Sequence, residues 1–222
     1  MKKQLFVILA FIIMGTSQDV IAQSRLSLTP GLFYNGTTFD KDVSGFGAIL
    51  GLEYMKSKEH FFSMELRTKY AYYSFDDGTK WREDKDGVLK PPVNRDEARL
   101  EYSLFSPQVG LVPKLHVLLD ESFSLFIENE FSAGLMSGSF KYKGTEEKQR
   151  FTEPIFSYNI GIGIETKLNK YAFVGSVGYS TLNFRSNIVK HKPPYHTEYI
   201  PNQNTGLWIN IIIKAPILGK YF

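Results

Sequence analysis

The sequence contains no cysteine. That excludes disulfide staples, thiol catalysis, cysteine-ligated metals and a lipid anchor, which needs a cysteine. Long apolar runs are also missing. The longest, Leu5–Met14, has ten residues, too few for a helix across a bilayer core that needs about 20. Charge of one sign is scarce: 26 Lys and Arg against 23 Asp and Glu leave a net +3, so no broad basic surface for nucleic acid is expected. What is abundant is aromatic and small: 18 Phe, 13 Tyr and 18 Gly in 222 residues. With 43% hydrophobic residues, wholesale disorder is not expected.

The short apolar run has a place. Met1-Lys2-Lys3-Gln4 is a positive n-region before Leu5–Met14, and Val20-Ile21-Ala22 ends the polar stretch that follows. This is the layout of a secretory signal peptide. Residues 1–22 are expected to be removed by cleavage after Ala22, leaving residues 23–222 as one domain.

That domain reads as strands with two unlike faces. Period-two alternation sets Phe46, Ala48, Leu50, Leu52 and Tyr54 against Gly45, Gly47, Gly51 and Glu53. It sets Phe62, Met64, Leu66, Tyr70 and Tyr72 against Glu65, Arg67 and Lys69. Similar segments lie at 25–34, 123–131, 155–168 and 205–214. Two more, 99–117 and 171–184, alternate less cleanly. In the first, Leu100, Tyr102 and Leu104 give way to Val109, Leu111, Leu115 and Val117, which places a bulge near Phe105–Pro107. In the second, the slip runs from Tyr171, Phe173, Val177 and Tyr179 to Leu182 and Phe184. The total is eight strands.

The connections alternate short and long: Ser57–His60, Leu118–Ser122 and Leu168–Lys170 are short, while 76–97 and 186–203 are the longest. Short turns at one end and long loops at the other mark an all-β, eight-stranded antiparallel up-and-down transmembrane β-barrel. A lipocalin-like barrel, with its apolar face inward, is the rival. Three features favour apolar-out. Glycines crowd the polar face, where a narrow lumen has little room. That face also carries charges of both signs: Glu53, Glu65, Arg67, Lys69, Arg99, Glu101, Glu128, Glu130, Glu165, Lys167 and Lys214. Buried charges must pair, so these are expected to form a lumen network that plugs the barrel. Finally, aromatics gather at the strand ends: Tyr34, Tyr73, Phe75, Phe140, Tyr142, Phe151, Phe156 and Phe184 on the loop side, and Tyr54, Phe61, Phe62, Phe123, Tyr171 and Phe173 on the turn side.

With the signal end Ala22-Gln23, the glycine-spaced GFGAILGLEY, the proline-interrupted LFSPQVGLVPKL and the terminal Phe222, the chain resembles the small outer-membrane β-barrel family of Gram-negative bacteria. The OmpA-like barrels are similar in size and layout. The PorT-like group, some of which serve gliding and type IX secretion, is closer still. The resemblance implies an outer-membrane location and insertion by the barrel-insertion machinery, which reads a terminal aromatic. Pro216 and Gly219 depart from that pattern by separating Phe222 from the strand of Ile209–Ile213.

No chemistry is legible. None of His60, His116, His191 and His196 has a serine two residues on, and no nucleophile–base pair can be argued, so catalysis is not expected. His191 and His196 flank a Lys-Pro-Pro-Tyr segment, but two ligands are too few for a structural zinc site. Asp84-x-Asp86-Gly87 lacks the first and twelfth ligands of a calcium loop and reads as a charged turn. No cofactor or metal is expected.

The long loops are the candidate binding surface. The span Asp76–Glu97 holds five basic and seven acidic residues. The surface comprises Trp81, Pro91 and Pro92, then His191, Pro193, Pro194, Tyr195, His196 and Tyr199, aromatic anchors beside stiff Pro-Pro pairs. The expected role is structural, or binding and scaffolding of a protein or surface partner through these loops, alongside contact with outer-membrane lipid. A small porin or transporter and a lipid-modifying enzyme are the alternatives.

Overall fold

A computed structural model describes residues 25–36, 44–56, 61–77, 82–83, 89–90, 100–119, 122–142, 148–183, 190–191 and 204–218. The strands are β1 (Arg25–Leu28), β2 (Gly31–Gly36), β3 (Ser44–Met55), β4 (Phe62–Asp77), β5 (Arg82–Glu83), β6 (Leu89–Lys90), β7 (Leu100–Leu119), β8 (Phe123–Tyr142), β9 (Gln149–Leu168), β10 (Tyr171–Asn183) and β11 (Asn204–Leu218). All except the small hairpin β5–β6 form one nine-stranded antiparallel sheet. Both β1 and β2 pair with β3 on one side and β11 on the other, which closes the sheet into a ring. They are two halves of one stave. Pro30 has no N–H to donate, but the ladder bridges the gap through Thr29 N to Gly51 O (2.9 Å) and Ile213 N to Pro30 O (2.9 Å). The barrel therefore has eight staves, as the alternation implies.

Alternation decides the wall. In β3 and β4 the even-numbered residues face out, so Phe46, Leu50, Leu66 and Tyr70 are exposed while Glu53, Glu65, Arg67 and Lys69 are buried. In β9, Phe156, Ile160, Ile162 and Ile164 face out and Asn159 and Glu165 face in. A barrel with charges inside and a mainly apolar exterior is stable only where the exterior meets lipid, which removes the lipocalin-like alternative.

Lumen glycines follow from crowding. A Cβ on Gly161 would lie 2.4 Å from Trp208 Cζ2, and one on Gly163 would lie 2.2 Å from Phe126 Cζ. Both aromatic rings occupy the lumen volume that the glycines leave open.

Four sequence expectations change. The strand β7 keeps one parity throughout, so Tyr102 and Leu104 are buried inside rather than facing lipid, and no bulge lies at Phe105–Pro107. Pro107 and Pro113 face outward within an unshifted β4–β7 register; the irregularity falls instead between His116 and Leu118, against β8. In β10, Leu182 is also inside, and the slip is confined to Ser180–Asn183 against β11; Phe184 lies outside the described residues. Tyr73 and Phe151 are buried in the lumen rather than in the outer aromatic girdle. The cause is shared: the loop-side end of the lumen is itself apolar, so an apolar side chain there does not mark the lipid face. Finally, β11 continues through Pro216, which is placed opposite Ser27, to Leu218. Residues 219–222, with the terminal aromatic, lie outside the described residues.

Candidate functional site: a layered lumen and its rim

The turn-side half of the lumen holds one connected ion-pair network. Arg67 lies at its centre. Its guanidinium meets Glu65 at 2.8 Å, Glu128 at 3.1 Å and Glu130 at 3.1 Å. Lys69 also pairs with Glu130. Lys114 bridges Glu65 (2.6 Å) to Glu53 (2.5 Å), Lys214 bridges Glu53 (2.6 Å) to Glu165 (2.5 Å), and Arg25 reaches both Glu53 (3.8 Å) and Glu165 (3.6 Å). Five cations thus meet five carboxylates, drawn from β1, β3, β4, β7, β8, β9 and β11. The remaining stave, β10, adds Ser176, whose hydroxyl donates to Glu128 Oε1 at 2.7 Å. Charge balance together with this many hydrogen bonds is what lets so many ions leave water.

Above the charges is a belt of hydroxyls and amides. Gln108 Nε2 donates to Ser106 Oγ (3.1 Å), Ser132 Oγ donates to Gln108 Oε1 (3.2 Å), and the Ser132 and Ser157 hydroxyls are 2.6 Å apart. Nearer the loops the lumen is apolar, filled by Tyr73, Tyr102, Leu104, Met136, Phe151 and Leu182. At the opposite end, His116 is buried with Nδ1 2.7 Å from Ser124 Oγ and Nε2 3.1 Å from Ser63 Oγ. The structure thereby unites a histidine with two serines that sequence spacing had left apart. No carboxylate hydrogen-bonds to this imidazole among the described residues, and both hydroxyls are buried, so the trio links β4, β7 and β8 as a polar bridge.

Of the expected lumen charges, Glu53, Glu65, Arg67, Lys69, Glu128, Glu130, Glu165 and Lys214 meet in the network. Lys167 is half-buried near the turn, two residues beyond Glu165 on the same face. Arg99 lies outside the described residues, as does the side chain of Glu101. Two members were missed. Arg25 shares the inward parity of Ser27 and Thr29, and Lys114 that of Gly110 and His116. Uninterrupted alternation along β7 would have found the lysine.

The loop-side rim carries one further site. A short helical piece, Lys190-His191, rests against β9. The His191 ring stacks on Phe151 (centroids 4.8 Å apart, planes 15° apart), and its Nε2 lies 2.8 Å from Glu153 Oε1. Lys190 Nζ is 3.5 Å from Glu153 Oε2. Hydrogen bonding from His191, then the Lys190 charge, holds the Glu153 carboxyl below its ordinary value. Glu153 sits above the apolar belt, since the outward neighbours beyond Phe156 are Pro154, Thr152 and Arg150. His191 is thus engaged with the barrel. The other candidate loop residues, Trp81, Pro91, Pro92, Pro193, Pro194, Tyr195, His196 and Tyr199, lie outside the described residues. So does the charged turn 84–88, although the flanking β5 and β6 do pair as a hairpin.

Comparison with known proteins adds the fold. A major outer membrane protein from Thermus thermophilus overlaps this chain with a TM-score of 0.55 at 11% identity, covering 87% of this chain and 99% of that one. The chain has the fold of the small outer-membrane β-barrels. Ail of Yersinia pestis, in complex with the heparin analogue sucrose octasulfate, overlaps at TM-score 0.38 and 13% identity over 87% of this chain and 96% of that one. The N-terminal barrel of Pseudomonas aeruginosa OprF overlaps at 0.39 and 13%, over 88% and 100%. No protein-family model and no curated protein sequence matches. In this outer-membrane-type barrel the apolar exterior is the lipid-facing surface.

Proposed function

We propose that the protein resides in the outer membrane as a closed barrel that does not conduct, and that it acts as a structural or binding scaffold through its loops. In this reading residues 1–22 are a signal peptide removed after Ala22, and the barrel-insertion machinery delivers residues 23–222 to the membrane. The loops 76–97 and 186–203 then face outward toward a protein or surface partner. A connection to secretion or gliding machinery rests on the family resemblance alone. The single observation that carries the closed lumen is the balanced set of five cations and five carboxylates filling its turn-side half. An eight-stranded barrel is just wide enough for side chains to fill it, and here they pair across it. Purified protein in planar bilayers should give no stable conductance. Regular single-channel steps would replace this reading with the transport one.

A further inference from the structure

The outward side chains of β8 are apolar from Phe123 to Leu135, with one exception. Asn129 stands six residues from either end of that run. At about 3.4 Å per residue and a tilt of about 40°, it lies about 16 Å from each end, at the middle of the lipid belt. Its Oδ1 accepts a hydrogen bond from the Tyr158 hydroxyl at 2.6 Å, while its Nδ2 finds no acceptor among the described residues. Thr68 and Thr181, also on the belt, turn their hydroxyls back onto the wall instead. Thr68 Oγ1 donates to Leu50 O (2.8 Å) and Thr181 Oγ1 to Tyr158 O (3.1 Å). The backbone ladder is interrupted at the same point: the β7–β8 pairing passes over Pro113, which stands opposite Asn129 and has no N–H to give.

An amide N–H pair in hydrocarbon is costly unless something accepts from it. Lipid cannot, because at this depth it offers only acyl chains. A protein surface can, and this patch is complementary to itself. It presents the uncommitted N–H groups of Asn129 beside acceptor oxygens on Asn129 and Tyr158. It also sets a ridge next to a hollow. Phe156, 77% exposed, is paired in register with Ala133, which lines a groove of about 660 Å³ running past Phe131 and Tyr158. Two copies inserted in the same sense are related by a two-fold axis along the membrane normal, so groups meet at equal depth. An axis beside Asn129 brings it to the Asn129–Tyr158 pair of a second copy. By contrast, Ile209, Ile211 and Ile213 make an apolar outward row on β11, three staves away.

We propose that the β7–β9 face of the wall is the contact surface of a homodimer, in which Asn129 of each copy donates to the Asn129–Tyr158 pair of the other. Burying apolar surface gains little when the alternative is lipid, so packing in the groove and these hydrogen bonds supply the association. The assignment rests on the membrane reading above.

The chain has no cysteine, so single cysteines report contact without background. The full chain carrying Ala133→Cys, and separately Ile211→Cys, should be folded into phosphatidylcholine vesicles at high lipid dilution and oxidised. Ala133→Cys should give a crosslinked dimer and Ile211→Cys should not. Energy transfer between labelled copies, followed over lipid dilution, reads the affinity. Asn129→Leu should weaken it about ten-fold, the worth of two such hydrogen bonds in lipid. Ala133→Phe, which fills the hollow and leaves the amide alone, should weaken it as well. Equal crosslinking from both cysteines, a chain that stays monomeric in lipid, or an affinity unchanged by either variant overturns the homodimer. So does a crosslink from Ala133→Cys in native membranes whose mass is not twice that of the chain, which gives this face to another protein. Failure to enter the bilayer at all overturns the membrane reading and this interface with it, whereas insertion without dimerisation overturns this interface alone.

Discussion

Replacing Arg67 tests whether the lumen network holds the barrel together. The side chain is wholly buried and touches three carboxylates. Arg67→Met keeps most of the volume, so the change is chiefly one of charge. Removing one partner of a buried ion pair costs about 3–5 kcal/mol, because the other charge remains buried. The local arrangement points to the lower end. Glu65 keeps Lys114 at 2.6 Å and Glu130 keeps Lys69, while Glu128 keeps only the Ser176 hydroxyl among the described residues. A loss of about 3 kcal/mol corresponds to about a hundred-fold change in the folded-to-unfolded ratio. The second variant, Arg67→Met with Glu128→Gln, removes the stranded charge and restores the balance, so it should recover more than half of that loss. Urea unfolding from lipid vesicles, followed by the fluorescence of the buried Trp208, measures both. A loss below about 1 kcal/mol for Arg67→Met, or a double variant no better than the single one, refutes the premise that these charges depend on one another.

Other perturbations address the remaining parts. Gly161→Ala should destabilise by about 1–3 kcal/mol, because its Cβ would meet Trp208 at 2.4 Å and Val177 O at 2.5 Å; the same urea titration reads it. The rim contact should depend on pH. A carboxyl held below its ordinary value contributes above that value and loses its contribution as pH falls through the lowered one, so the Glu153–His191 contact should hold at neutral pH and release in acid. Amide exchange at Lys190-His191 should therefore quicken in acid, and should already be fast at neutral pH in Glu153→Gln. Sequencing the exported protein should find Gln23 first. A start at Met1, or recovery from the soluble periplasm, counts against the signal-peptide reading.

Much of the wall could be read from residue order alone, because a lipid exterior and a polar interior impose opposite chemistry on alternate positions. The faces of β3, β4 and β9 follow from that single rule. It fails where both faces are apolar. Tyr102, Leu104 and Leu182 belong to an apolar cap on the lumen, and residue type cannot tell such a cap from the lipid face. In β7 the correct face was recoverable from the other end, since Lys114 and His116 share a parity that runs unbroken to Tyr102. The His116–Ser63 contact joins residues 53 positions apart, and the Glu153–His191 contact joins residues 38 apart. No local pattern announces either one: the first depends on how far neighbouring staves slide past each other, and the second on how the piece holding His191 folds back onto β9.

That register also explains why the lumen is layered instead of mixed. Alternation sends side chains inward from every stave, but only the stagger between staves decides which of them share a height. Lys114 sits opposite Ser63 on one side and Glu128 on the other, and Glu53 sits opposite Glu65. Two like charges face each other at this last pair, an arrangement that costs energy by itself. Lys114 lies within 2.6 Å of both carboxylates and compensates it. A slip of one residue between β4 and β7 would turn Lys114 outward and leave that pair uncompensated inside the barrel. The charges therefore specify register as well as fill space. The apolar cap cannot do the same, because Leu104 or Met136 would find apolar neighbours in several alignments. Lys114→Met, which keeps the packing but removes the bridging charge, should accordingly do more than destabilise. Disulfide crosslinks between cysteines placed at the paired positions Ser74 and Ser103 should form efficiently in the parent, where those positions face each other, and less efficiently in the variant. If crosslinking is unchanged while stability falls, the lysine only balances charge, and the register is set by the wall's hydrogen bonds and turns.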